Sequence, residues 1–252
     1  MTPELPAALL GRPIAHRGYH DIAAGRPENS RAAIRAAIEA AYGIEIDLQL
    51  TRDGQAMVFH DYDMDRLTGR SGPIRQISAA EAAGIALLHG DGEGIPTLTE
   101  ILDLVAGRVP LLIELKDQDG GMGPDVGPLE QATAEALSGY HGPVAVMSFN
   151  PHSIAAMARF APDLPRGLVT SAYDPAEWPL SLATCERLRD IPDYDRVGAS
   201  FISHEVEDLA RPRVAELKSR GVPVLCWTVR SAEQEAEARR VADNVTFEGY
   251  AA

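Results

Sequence analysis

In the stretch GIEIDLQLT, residues 43–51, Ile44, Ile46, Leu48 and Leu50 alternate with Glu45, Asp47 and Gln49. Period two places the aliphatic residues on one face of a β-strand and the polar three on the other. Gly43 and the turn signal Asp53-Gly54 bound the run. Other short runs rich in Val and Ile fall at 13–18, 110–116, 143–149, 166–171, 196–203, 223–229 and 244–249. Between them lie segments of helical spacing near 29–42, 97–107, 128–139, 150–160, 181–190, 207–220 and 231–242. Capping boxes at Thr97-x-x-Glu100 and Ser231-x-x-Gln234 mark two helix starts, and Asn150 ahead of Pro151 marks a third.

Strands alternating with helices predict a parallel sheet of the α/β class. Eight strands favour a closed (β/α)8 TIM barrel over an open doubly wound sheet. No glycine-rich dinucleotide fingerprint follows the first strand, which weakens the open-sheet alternative further. The rhythm breaks once, after the second strand. There "MVFH" (57–60) extends the strand as a hairpin partner, and residues 61–96 read as an insertion over one barrel end. That insertion carries its own helix start, Ser78-x-x-Glu81. The expectation is one domain over residues 1–252.

Composition is that of an ordinary globular chain, with 45% hydrophobic residues. A net charge of -14, from 37 acids against 23 Lys and Arg, argues against nucleic acid or an anionic membrane as partner. It leaves room for an anionic small molecule received by a local cation or a metal. The N-terminal stretch lacks a basic n-region, no run reaches about 18 apolar residues, and Cys185 and Cys226 follow no metal spacing. A cytoplasmic protein with free thiols is expected.

Two carboxylates about 7 Å apart on one strand face fit a wet edge strand when taken alone. The neighbouring strands change that reading. In a TIM barrel the active site lies at the C-terminal strand ends. His16-Arg17 ends the first strand, His60-Asp61 ends the hairpin extension, and Glu114 and Lys116 share a face at the end of the third. Glu45, Asp47 and Glu114 would repel one another inside a barrel unless a cation sat between them. Three oxygen ligands without Cys suit Mg²⁺ or Ca²⁺ better than Zn²⁺. Arg17 and Lys116 suit a phosphate, and His16 and His60 titrate where a general base and acid must. The set describes phosphodiester cleavage.

The segments AHRG, RPENS, GIEIDLQLTRDGQAMVFHD, IPTLTEIL and LLIELK resemble, in order, the glycerophosphodiester phosphodiesterase family. The resemblance is strongest over about residues 13–116, and "SF" (148–149) and "CWTV" (226–229) also look like the family. It implies a TIM barrel with a small insertion after the second strand. The implied activity is divalent-cation-dependent hydrolysis of a glycerophosphodiester to an alcohol and glycerol 3-phosphate. It implies His16 and His60 as the acid/base pair, Glu45, Asp47 and Glu114 as metal ligands, and Arg17 and Lys116 as phosphate contacts. Glu28 and Asn29 fall in the family's PENT loop, where Ser30 stands for Thr and keeps a capping hydroxyl. Phe149 and Trp227 are candidate pocket walls, Trp227 on the glycerol side, and Asp61 a local orienting group.

The chain departs from the family at its eighth strand. The family's segment is of an Asp-bearing GIITD type; here NVTFEG offers Glu248 in that Asp's place. Two alternatives remain: a phospholipase-type barrel cutting lipid phosphodiesters through a cyclic phosphate, and a non-catalytic binder of phosphorylated glycerol or sugar compounds. His20, His89, His141, His152 and His204 read as surface or loop residues. Gln49 has no assigned role.

Overall fold

A computed structural model describes residues 2–252. Eight parallel strands close a barrel: β1 (Ile14–Ala15), β2 (Gly43–Leu50), β4 (Leu111–Leu115), β5 (Val144–Ser148), β6 (Arg166–Thr170), β7 (Phe201–Glu205), β8 (Val224–Val229) and β9 (Asn244–Phe247). Closure runs through β1, whose Ile14 pairs with Gly43 of β2 on one side and Thr246 of β9 on the other. The short β3 (Ala56–Val58) lies antiparallel to β2, as the hairpin reading requires, with Leu48 opposite Val58.

The helices α1 (Arg31–Glu39), α4 (Leu98–Val105), α5 (Pro128–Leu137), α6 (Pro151–Phe160), α7 (Leu182–Arg189), α8 (Pro212–Ser219) and α9 (Ala232–Ala238) fill the connections. Their starts follow the signals in the chain. The hydroxyls of Ser30, Thr97 and Ser231 accept from the third residue on, and Asn150 caps α6 ahead of Pro151. Ile44, Ile46 and Leu48 pack outward with Ile34, Ile101 and Leu102 of the helix layer. Inside the barrel, Leu112, Ala145, Met147, Val169, Phe201 and Leu225 pack with Leu5 and Leu9 of the N-terminal segment. Asn244 holds that segment in place by donating from Nδ2 to the carbonyls of Leu9 and Arg12.

Three of the boundaries that differ from the sequence reading have a direct local cause. β1 ends at Ala15 because Arg17 and Gly18 take positive φ values, 55° and 79°, and the chain turns there. The strand expected from 196 starts at Phe201, because Asp193 and Arg196 form an ion-paired turn that Gly198 (φ 60°) completes. The helix expected from 207 begins at Pro212, where proline's missing N–H costs nothing. The insertion contains α2 (Asp65–Thr68) and α3 (Ala79–Ala83), the latter with the full Ser78/Glu81 capping box. It has its own small core of Met57, Phe59, Met64, Leu67, Ile74, Ile85 and Ile95. Among the described residues no helix is long and apolar enough to cross a membrane.

Candidate active site

The parallel register sets Asp47 on β2 directly opposite Glu114 on β4, with Glu45 one inward step below. Carboxylate oxygens of Glu45, Asp47 and Glu114 all come within 4.8 Å of one another, and all three residues are buried. Such a cluster is costly unless a positive charge meets it. Lys116 Nζ supplies part of that charge, at 2.7 Å from Asp47 Oδ1 and 2.6 Å from Glu114 Oε1. Burial pushes the Glu45 carboxyl well above the usual carboxylate range, and Asp47 and Glu114 push it further. Burial has the same effect on Asp47, but Lys116, His60 and Arg17 outweigh it and hold that carboxyl well below the usual range.

The arrangement fits a hard divalent cation. Glu45 Oε1 is buried without a hydrogen-bond partner, the donor set is all oxygen, and the three groups converge from two adjacent strands. Glu45, Asp47 and Glu114 are the residues that would hold the ion.

The turn after β1 is fitted to this cluster. Arg17 N–H donates to Glu45 Oε2 (2.9 Å), and Gly18 N–H donates to the Glu45 carbonyl (3.1 Å). Any Cβ at Gly18 would lie 3.0 Å from Ala33 in addition to its positive φ, so only glycine lets the turn sit against α1. Asn29 Nδ2 donates to Asp47 Oδ2 (2.8 Å), while Asp47 N–H donates back to Asn29 Oδ1 (3.3 Å). The Arg17 guanidinium reaches Glu28 Oε1 at 2.7 Å and Asp47 Oδ2 at 3.4 Å. Glu28 also takes two bonds from Arg66 of the insertion.

Each histidine at the mouth has a carboxylate behind it. His16 Nδ1 lies 2.6 Å from Glu248 Oε2, and His60 Nδ1 lies 2.7 Å from Asp61 Oδ1. A hydrogen bond from His16, then one from His20, keeps Glu248 far below the usual carboxylate range, so it accepts and His16 Nδ1 carries the proton. Hydrogen bonds from His60 and Arg66 overcome burial and do the same for Asp61. Among the described residues neither ring has a protein partner at Nε2, which leaves that nitrogen of each free for proton transfer. Burial lowers the His16 pKa below 6.5, against the raising effect of Glu248.

All the residues singled out in the sequence thus collect at one barrel mouth. A cavity of about 170 Å³ is lined by His16, Arg17, Glu45, His60, Glu114 and Lys116, with Phe149 and Trp227 as walls. Trp227 donates from Nε1 to the Ser203 carbonyl (3.0 Å) and meets Phe149 edge-on, centroids 5.4 Å apart. Glu28, Asn29, Asp61 and Glu248 sit behind the groups that line it. Gln49 has a supporting part: it donates to the His60 carbonyl (3.0 Å) and accepts from Gln118 (3.0 Å).

Two histidines add to the sequence reading: His20 keeps its loop place but joins the mouth, and His204 is neither at the surface nor in a loop. His20 reaches Glu248 at 3.6 Å, and His204 is a fully buried residue of β7 bonded to Thr170 and Asp208. Period two hid His204 because it lies on the helix-facing side of its strand, between the inward Ser203 and Glu205. Arg66 and Arg230, which pair with Asp61 and Glu248, carried no sequence signal, because only the fold brings them there.

Comparison with known proteins agrees with this fold. The sequence model of the glycerophosphoryl diester phosphodiesterase family matches residues 16–244. A glycerophosphodiester phosphodiesterase of Caldanaerobacter subterraneus subsp. tengcongensis is 30% identical over 229 residues, covering 87% of this chain and 86% of its own. One from Bacillus subtilis is 28% identical over 91% of this chain and 79% of its own. Among solved structures, an Oleispira antarctica phosphodiesterase in complex with the product sn-glycerol-3-phosphate superposes with a TM-score of 0.75. Its identity is 25%, over 94% of this chain and 92% of its own. A Parabacteroides distasonis glycerophosphodiester phosphodiesterase, 23% identical over 94% of each chain, superposes at 0.74 and shares the fold. With the family match running through the HRG turn, the carboxylate strands and the later barrel, this chain belongs to the glycerophosphoryl diester phosphodiesterase family.

Proposed function

We propose that this enzyme hydrolyses glycerophosphodiesters to an alcohol and glycerol 3-phosphate. The single observation that carries the reading is the pair of carboxylate-braced histidines, His16 with Glu248 and His60 with Asp61, flanking one buried carboxylate cluster. A divalent cation bound by Glu45, Asp47 and Glu114 would supply Lewis-acid stabilisation of the charge that builds on the phosphate. Mg²⁺ or Ca²⁺ suits the oxygen set. Arg17 offers a planar fork and Lys116 a point charge to the non-bridging oxygens. One histidine takes the proton of the nucleophile, water or the vicinal glycerol hydroxyl, through its free Nε2. The other gives a proton to the departing alkoxide, so the leaving group departs as a neutral alcohol.

The carboxylate behind each ring fixes its tautomer and steadies the imidazolium that forms. Burial favours the neutral form of His16, the form that a general base needs. The buried free thiols of Cys185 and Cys226 support a reducing, cytoplasmic setting.

The test is release of sn-glycerol 3-phosphate from a glycerophosphodiester in the presence of Mg²⁺ or Ca²⁺, followed with a coupled dehydrogenase. Phosphorus NMR of the same reaction separates a monoester product from a cyclic one. Hydrolysis to the monoester is expected. Full turnover by His16→Ala or His60→Ala would remove the acid/base assignment.

A further inference from the structure

Arg66 of the insertion holds two carboxylates at once. Its Nη1 and Nη2 donate to Glu28 Oε2 and Oε1, each at 2.8 Å. Its Nε and Nη2 donate to Asp61 Oδ2 and Oδ1, at 2.6 Å and 2.8 Å. Two edges of one planar guanidinium are thereby occupied, a geometry that a lysine ammonium does not reproduce.

Each carboxylate has its remaining side-chain contact on a group at the barrel mouth. Glu28 Oε1 accepts from Arg17 Nη1 at 2.7 Å, and Asp61 Oδ1 meets His60 Nδ1 at 2.7 Å. A chain of hydrogen bonds therefore runs Arg17, Glu28, Arg66, Asp61, His60. Its ends stand on different elements, Arg17 on the turn after β1 and His60 after the hairpin strand β3.

The insertion is built to present Arg66. Met64 and Leu67, which flank it in the chain, are buried in the insertion's own core. Gly69, at φ 70°, ends α2 with its N–H on the Asp65 carbonyl (2.9 Å), and Leu88 N–H donates to the Leu67 carbonyl (2.8 Å). A second clamp fixes the insertion to the barrel: Glu93 accepts from the N–H groups of Arg31 and Ala32 in the first turn of α1.

The Arg66 side chain is 50% exposed, and ion pairs this open add little to stability. What it holds is more telling. Among the described residues, the Asp61 side chain has no other donor besides the His60 ring, so without Arg66 that carboxylate could swing about its own bond and carry the ring with it. Without Arg66, the whole charge of Glu28 would also fall on Arg17, in competition with the substrate phosphate. We infer that Arg66 is a positioning residue for both halves of the reaction. Through Asp61 it fixes the His60 ring for proton transfer, and through Glu28 it leaves the Arg17 guanidinium available to the phosphate. This rests on the phosphodiesterase reading above, and it makes the docked insertion a part of the site.

The experiment measures kcat, KM and melting temperature for the wild type, Arg66→Gln, Arg66→Lys, Asp61→Asn and the double variant Arg66→Gln/Asp61→Asn, with one glycerophosphodiester and saturating Mg²⁺ or Ca²⁺. Arg66→Gln is expected to lower kcat about tenfold and raise KM about threefold, with a melting temperature close to that of the wild type. Arg66→Lys keeps the charge without the fork and should still lose about threefold or more in kcat. Because the effect on kcat passes through Asp61, the double variant should have the kcat of Asp61→Asn alone. A lower melting temperature with wild-type kcat and KM in both Arg66 variants overturns the inference while leaving the phosphodiesterase reading intact, and so do kcat losses that multiply in the double variant. A wild type that turns over no glycerophosphodiester with either ion overturns that reading, and this inference falls with it.

Discussion

Strands β2 and β4 turn Glu45, Asp47 and Glu114 into the barrel, whereas β6 and β7 turn Gly167, Val169, Phe201 and Ser203 into the same space. On the second side the Phe201 ring fills the volume a side chain at Gly167 would take, since a Cβ there would lie 2.5 Å from it. The first side gathers three carboxyl groups whose oxygens lie within 4.8 Å of one another. One half of the interior is arranged for dense apolar packing and the other for charge that only a cation relieves. The difference teaches that packing and chemistry are drawn from different arcs of one barrel interior. Substitutions on the two sides should therefore fail in different ways.

The largest effect is expected on the charged side. Asp47→Asn keeps the shape but removes a ligand charge and the partner of Lys116, Arg17 and Asn29. Turnover should fall by about 10³-fold, on the order of several kcal/mol of lost transition-state stabilisation. His16→Ala or His60→Ala should cost roughly 10²- to 10⁴-fold in kcat. Circular dichroism should find all three variants folded.

On the packed side the loss should be one of stability. Phe201→Ala opens a cavity beneath the site and is expected to cost about 3–5 kcal/mol in urea unfolding. The protein that remains folded should keep its kcat. A Phe201→Ala variant that stays as stable as wild type but loses turnover would break the division between the two sides.

A smaller effect tests the bracing of the rings. Glu248→Gln should lower kcat by about 10- to 100-fold and move the pH profile, because the His16 tautomer and imidazolium lose their carboxylate. A purely structural Glu248 would instead change the melting temperature and leave the profile in place.

The smallest concerns His204, buried outside the barrel wall. Burial depresses its pKa below 6.5 against the raising influence of Asp208. Its neutral form therefore stabilises the fold fully above pH 6.5, and that contribution is lost as pH falls through the lower folded value. Each unit of depression is worth about 1.4 kcal/mol. His204→Gln should flatten the acid limb of melting temperature against pH, and an unchanged limb would contradict the linkage.

Much of the charged side could be read from the chain. Period two put Glu45 and Asp47 on one face, and the rule that chemistry sits at the C-terminal strand ends joined them to His16, His60, Glu114 and Lys116. The barrel itself followed from eight strands alternating with capped helices. What escaped was set by long-range geometry. Glu248 stands out in the sequence, but its pairing with His16 spans 232 residues, and Arg66 reaches Glu28 only because the insertion folds back over the mouth. Gln49 looked idle because its partners are a carbonyl and a side chain far along the chain, which no local pattern encodes. The strand before Phe201 was drawn too early because Val197 and Ala199 are buried in a turn, and burial alone resembles a strand.

Everything at the mouth turns on the carboxylates of β2 and β4, which we propose hold a divalent cation. The most direct test of that proposal strips the purified enzyme with a chelator, then adds back Mg²⁺ or Ca²⁺ while recording both melting temperature and release of glycerol 3-phosphate. Turnover should vanish on stripping and return with the ion, and the melting temperature should rise in the wild type, by about 2.7 kcal/mol of stability at a hundredfold excess over Kd, but not in Asp47→Asn. Undiminished turnover in the stripped enzyme, with no melting shift on adding either ion, would contradict it.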